Sequence, residues 1–260
     1  MPEQRPPLLL IHGAANAAWV WDAWRPHLKA LGWQPNVVDL RGHGRSLPID
    51  FSEVIMESYV ADVESVTRQM VAAGLPHPVL VGWSMGGLVA MMYAKAHAET
   101  PALVLIAPSP PKEIQGRPNP RDLLKTPLGP FGPELYHLYP DDLEASRPAL
   151  FDLTDDEARS VLEHSRGALE SGLARRQRKD GISIPRGAIG CKTLIVIAEK
   201  DKTMSVETTR RVALHIEADT LSVQNIGHWG IVYHEATVAA TAPDVAKWLA
   251  WAVGEVPARA

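Results

Sequence analysis

Pro78-Val79-Leu80-Val81-Gly82-Trp83-Ser84-Met85-Gly86-Gly87-Leu88 joins an apolar run, a serine framed by glycines and the start of an apolar helical stretch. The run at 78–81 reads as a buried strand and 88–98 as a helix. A serine between them projects into a pocket only if the turn is very sharp. The residues two before and two after it must then be small, as Gly82 and Gly86 are. The helix starting at Met85 aims its free amides and its positive dipole end at the same pocket, which favours a developing oxyanion. Ser84 is therefore the candidate nucleophile.

On either side of this segment, short apolar runs recur at 8–11, 37–40, 103–106, 193–197 and 220–223. Continuous runs of this kind suit strands buried on both faces of a parallel sheet. Amphipathic stretches of helical period separate them at 19–31, 59–73, 88–98, 206–216 and 237–253. Strand and helix in alternation mean right-handed crossovers and a doubly wound α/β fold with a mainly parallel sheet of about six strands.

The alternation breaks between Pro108 and Gly190. Residues 108–133 are rich in Pro and Gly, which reads as a linker holding neither a helix nor an inner strand. Asp141-Asp142-Leu143-Glu144 and Thr154-Asp155-Asp156-Glu157 read as acidic helix starts. Thr154 is the expected N-cap and Glu157 its capping-box partner, with the second helix running to about Arg178. Both faces of the sheet are already occupied, so such an insertion must sit at a strand edge. The carboxyl edge is where ligands bind in open α/β sheets. The expected division is a core of 1–109 and 188–260 with a helical lid, or cap, at 110–187.

A serine hydroxyl needs a base, and the base needs an orienting carboxylate. Asp201 lies in the loop expected to follow the 193–197 strand, and His228 lies in a glycine-flanked loop after the 220–223 strand. They are the candidate acid and base, with Glu199 and His234 as the alternatives.

Composition bounds the rest. The chain has 260 residues, 46% hydrophobic and 22% charged, enough apolar material for one large core. A formal net charge of −4 offers no basic footprint, so nucleic acid is not an expected partner. No apolar stretch approaches the roughly 20 residues of a membrane span. The single cysteine, Cys191, allows no intramolecular disulfide and reads as a small apolar residue at the start of a strand. With an apolar run after the N-terminus too short for a signal-peptide core, the expected location is the cytoplasm.

Leu10-Ile11-His12-Gly13-Ala14, Asp39-Leu40-Arg41-Gly42-His43-Gly44-Arg45-Ser46, the serine elbow, Glu199-Lys200-Asp201 and Gly227-His228 together resemble the α/β-hydrolase superfamily. The likeness is to its compact esterase and lactonase-like members and covers the chain outside the insertion. The order Ser84, Asp201, His228 is the one that fold uses. The resemblance implies that backbone N–H groups of Ala14 and Met85 hold the oxyanion, that His12 holds the loop, and that Asp39 to Ser46 shapes the sheet edge. Family members commonly begin with an antiparallel hairpin, but too few residues precede His12 for one, so an essentially all-parallel sheet is expected.

The expected chemistry is acyl transfer from small to medium, fairly apolar esters, with no metal or organic cofactor. The expected partner is a small-molecule ester, and the expected state a monomer or homodimer. Trp19, Trp83 and Trp229 lie beside the motifs, either as an apolar substrate pocket or as core packing. Lactonases, C–C bond hydrolases, aminopeptidases and cofactor-free haloperoxidases share the triad. Hydroxynitrile lyases resemble the chain through Ala17-Ala18-Trp19, but they carry a lysine where Trp229 follows His228. Outside catalysis, a ligand-binding module of the same fold is the remaining reading, and nothing in binding alone calls for a serine, a histidine and an aspartate in those loops.

Overall fold

The apolar runs become strands of one parallel sheet in a computed structural model that describes residues 5–115, 133–135 and 143–255. The sheet strands are β1 (Leu8–Ile11), β2 (Pro35–Val38), β3 (Val79–Trp83), β4 (Ala102–Ile106), β7 (Lys192–Ala198) and β8 (Asp219–Val223). Two more, β5 (Pro133–Leu135) and β6 (Leu169–Ser171), pair with each other in the inserted segment. The main sheet runs β2-β1-β3-β4-β7-β8, and every pairing in it is parallel.

Alternation along each strand splits these runs between two cores. Leu8, Leu10, Val79, Val81, Val104 and Val196 face one, together with α1 (Trp24–Ala30), the short α9 (Gly230–Tyr233) and α10 (Glu235–Ala252). Leu9, Ile11, Leu80, Leu105 and Ile195 face the other, together with α2 (Met56–Ala72), α3 (Met85–Ala96) and α8 (Val206–His215). All four residues of β1 are fully buried, as a strand covered on both faces requires.

The strand order also locates the site. The chain goes from β1 to β2 on one side, then returns past β1 to β3 on the other. That reversal opens a crevice at the carboxyl ends of β1 and β3. Ser84 follows β3 and the His12-Gly13-Ala14 loop follows β1, so the topology puts them at the same opening.

β2 ends at Val38, before Asp39 and Leu40. Asp39 turns out of the ladder to accept hydrogen bonds from the backbone N–H groups of Ala18 (2.7 Å) and Arg45 (3.1 Å). These bonds hold the Ala18–Trp21 turn and the loop that follows Asp39.

The insertion joins β4 to β7, which are neighbours in the sheet. Its helices among the described residues are α4 (Lys112–Gln115), α5 (Leu143–Ser146), α6 (Asp155–Ser165) and α7 (Gly172–Asp180). Two expectations are corrected here. The Pro- and Gly-rich run does hold one helical turn, α4, which closes on the carbonyl of Pro111; the short strand that Pro133 begins pairs only with β6 and is not an inner strand. Residues 116–132, and Asp141 and Asp142 of the first acidic start, lie outside the described residues.

The second correction concerns the helix expected over 154–178. Thr154 caps it as expected, with Glu157 reciprocating, but it stops at Ser165. Gly167 takes φ +71°, a conformation that ends a helix. Leu169–Ser171 is extended, and the Ser171 hydroxyl then accepts from the Ala174 N–H (3.1 Å) to start α7.

Thr154→Ala removes the acceptor of the Glu157 N–H at the start of α6. The expected loss is about 1 kcal/mol, read as a melting temperature lowered by about 2–4 °C in calorimetry. An unchanged melting temperature would mean that this cap contributes nothing to the seating of α6.

Candidate active site

Ser84 has φ +54° and ψ −119°, a conformation that costs a residue with a side chain about 1–3 kcal/mol. Close backbone packing holds it there. A Cβ on Gly82 would lie 2.4 Å from the carbonyl oxygen of Gly86, and one on Gly86 would lie 2.2 Å from that of Ile11. Only glycine permits β3, the turn and α3 to approach β1 so closely. The Ser84 N–H donates to Ile106 O (3.1 Å), and Ser84 O accepts from the Ser109 N–H (2.8 Å). Ser84 is buried, with 8% of the residue exposed, directly after the carboxyl end of β3.

Asp201 and His228 are brought together from the ends of β7 and β8. His228 Nδ1 lies 2.6 Å from Asp201 Oδ2, and both residues are buried. The other carboxylate oxygen accepts from the N–H groups of Thr203 (2.7 Å) and Met204 (2.8 Å), which fixes its orientation. With the Nδ1 proton donated to Asp201, Nε2 is the atom left to act as a base. Trp83, next to Ser84 in the chain, places its ring 5.1 Å from the imidazole and donates from Nε1 to His228 O (3.2 Å). Glu199 pairs with Arg210 (2.7 Å) and His234 with Glu157 (2.9 Å) instead.

The loop after β1 is tied down residue by residue. His12 donates from Nδ1 to Gly13 O (2.8 Å) and accepts at Nε2 from the Leu40 N–H (3.1 Å), an arrangement open only to the neutral ring. Burial, reinforced by the neighbouring His43, lowers its pKa to about 3. A Cβ on Gly13 would lie 3.2 Å from Ser84 Cβ, so this loop runs directly against the serine. Met85 is the first residue of α3, where the first-turn N–H groups have no partner within the helix.

The alpha/beta hydrolase family model matches residues 8–241. The chain belongs to the alpha/beta hydrolase family. It is 28% identical over 246 residues to the pimeloyl-[acyl-carrier protein] methyl ester esterase of Xanthomonas campestris pv. campestris (strain B100), covering 90% of this chain and 92% of that one. With the enzyme of the same name from Klebsiella pneumoniae (strain 342) the identity is 38% over 105 residues, 40% of this chain and little more than a third of that one (37%). Among solved structures, polyneuridine aldehyde esterase superposes with a TM-score of 0.69 at 17% identity, over 93% of this chain and 99% of that one, a likeness of fold.

In this alpha/beta hydrolase the three tryptophans beside the motifs, Trp19, Trp83 and Trp229, differ in setting. Trp83 and Trp229 are each 2% exposed and pack edge to face at 5.0 Å within the core. Trp19 is half-buried and stacks on Trp229 (5.9 Å) on one side and on His164 of the insertion (4.6 Å) on the other. Tyr233 meets Trp19 edge-on and shares a hydrogen bond with Ser160 of the insertion (2.9 Å).

Two insertion carboxylates reach these loops, and neither was visible in the sequence pattern. Asp152 Oδ2 accepts from the N–H groups of Gly227 (2.6 Å) and Gly230 (3.0 Å), on both sides of His228. Glu170 accepts from the Ala15 N–H (3.0 Å) in the loop after β1. Each bond spans 75 or more residues, and no local motif marks either acid.

His12 makes the fold acid-sensitive with a definite sign. Below its ordinary pKa of 6.5 the unfolded chain takes up a proton that the native ring, held near 3, refuses. Stability is therefore lost as the pH falls from about 6.5 towards 3. Between pH 7 and pH 5 the wild type should lose about 2 kcal/mol more than His12→Asn in urea unfolding. Equal losses would contradict a neutral, buried His12.

Proposed function

We propose that this hydrolase cleaves carboxylic esters of small to medium, fairly apolar substrates through an acyl-enzyme on Ser84. One observation carries the reading. Ser84 is held at a strained elbow directly after Trp83, whose indole donates to the carbonyl of His228, and the His228 Nδ1 lies 2.6 Å from a buried aspartate. Ser84 Oγ attacks the ester carbonyl and passes its proton to His228 Nε2. The N–H groups of Ala14 and Met85 face the oxyanion. Collapse breaks the bond to the alcohol, which leaves with the proton from His228. Water then attacks the acyl-enzyme by the same route and frees the acid and Ser84. Asp201 fixes the tautomer and stabilises the imidazolium throughout.

The insertion acts in this reading as a lid. Its carboxylates bond to the loops after β1 and β8, and His164 stacks on Trp19, so it borders the carboxyl edge where substrate would enter. Trp19, at the contact between lid and core, is the tryptophan best placed to touch substrate, while Trp83 and Trp229 support His228 from the core. The names of the Xanthomonas and Klebsiella relatives favour a methyl ester of an acyl chain as a second, narrower substrate class. A buried tryptophan directly after His228, where a lyase has a lysine, argues against cyanohydrin cleavage. With one cysteine and no disulfide to form, the cytoplasm suits the protein. Among the described residues no helix is long and apolar enough to cross a membrane.

A panel of p-nitrophenyl esters of rising acyl length, with methyl esters, lactones and anilides beside them, tests the reading. The highest kcat/KM should fall on short to medium acyl esters, with Ser84→Ala at least about 10⁴-fold slower. Best activity on long-chain triglycerides, or full turnover by the alanine variant, would contradict it.

A further inference from the structure

Glu170, on β6 of the insertion, is fully buried and takes no part in the chemistry above. Burying a carboxylate costs several kcal/mol unless each oxygen finds donors. Here each does. One oxygen accepts from the Ser171 N–H (2.8 Å) and the Tyr59 hydroxyl, and the other from the Ala15 N–H (3.0 Å), with His43 Nε2 3.9 Å away.

The partner that matters is Ala15. Its N–H belongs to the peptide group joining it to Ala14, whose carbonyl accepts from Asn16 Nδ2 (2.7 Å). That peptide is thus clamped at both ends, by Glu170 on the N–H and by Asn16 on the C=O. Ala15 also has φ +51°, a left-handed conformation that a residue with a Cβ leaves when nothing holds it. If the peptide turned, the direction of the Ala14 N–H on the preceding unit would be free to change.

We propose that Glu170 is a positioning residue that locks the oxyanion loop, so that the Ala14 N–H points at the developing oxyanion only while the insertion is seated on the core. This rests on the acyl-transfer reading above. It makes the lid part of the catalytic geometry as well as a cover.

A carboxylate suits the place because acceptors are needed at both ends. Glutamine offers one oxygen and one NH2, so either the Ala15 or the Ser171 N–H would face another donor. Full-length wild type, Glu170→Gln, Glu170→Ala and Ser84→Ala are compared on p-nitrophenyl butyrate and on inhibition by an alkylboronic acid, which forms a tetrahedral adduct with an active serine. Circular dichroism and melting temperature report the fold.

The expected result is a kcat lowered about 100-fold in Glu170→Ala and at least about 10-fold in Glu170→Gln, with KM within about 3-fold. The boronic acid inhibition constant should rise in step with the loss of kcat. A folded Glu170→Gln with wild-type kcat overturns the proposal, as does a change confined to KM or a lowered kcat with unchanged boronic acid affinity. If only the alanine variant fails to fold, the glutamine variant decides. If neither folds, Glu170 is a determinant of the fold, and the positioning role is overturned. Turnover surviving in Ser84→Ala would sink the acyl-transfer reading and this proposal together, whereas turnover lost there but intact in Glu170→Gln sinks this proposal alone.

Discussion

The closest backbone approach at the site lies between β1 and α3, where a Cβ on Gly86 would stand 2.2 Å from the carbonyl oxygen of Ile11. Because no side chain fits there, α3 starts directly against β1, and the turn before it is forced into the conformation seen at Ser84. The same approach carries the loop after β1 against the serine and presents the start of α3 beside it. Strain at Ser84, crowding at Gly13 and the direction of the first helical amides share one steric cause. The surrounding core, buried on both sheet faces, supplies the stability that holds it.

Around that fixed point the loops are held by polar groups. Neutral His12 ties the loop after β1 to Leu40, Asp201 is fixed by two backbone N–H groups, and Trp83 braces His228 from below. Asp152 and Glu170 extend this arrangement into the insertion, which contributes an acceptor to the histidine loop and to the loop after β1. Hydrogen bonds from backbone N–H to carboxylate are strong and directional, so loops held this way keep their shape without regular secondary structure.

The sheet and the serine elbow were legible in the sequence because their signals are local. An apolar run of four or five residues reports a strand buried on both faces. Glycines at 82 and 86 report a turn with no room, and Thr154 with Glu157 reports a helix start. The end of that helix was not legible, since Gly167 lies in a polar stretch whose helical period continues to Arg178. The positive φ of Gly167, the pairing of β6 with β5 and the second cap at Ser171 show the break. Glu170 and Asp152 were hidden for a related reason. A surface glutamate and a buried one read alike until the fold brings Tyr59 and Ala15 to it, across 111 and 155 residues of chain. Asp201 and His228 could be picked out only through strand order, with Glu199 and His234 as rivals until the partners of all four were known.

The acyl-transfer chemistry proposed above requires Ser84 to be a nucleophile activated by His228 and Asp201. Its most direct measurement is reaction with a fluorophosphonate, followed by intact mass and by peptide mapping. One adduct per chain is expected, located on Ser84, absent from Ser84→Ala and formed at least about 10³-fold more slowly in Asp201→Asn. No adduct, or an adduct that persists in Ser84→Ala, would contradict it.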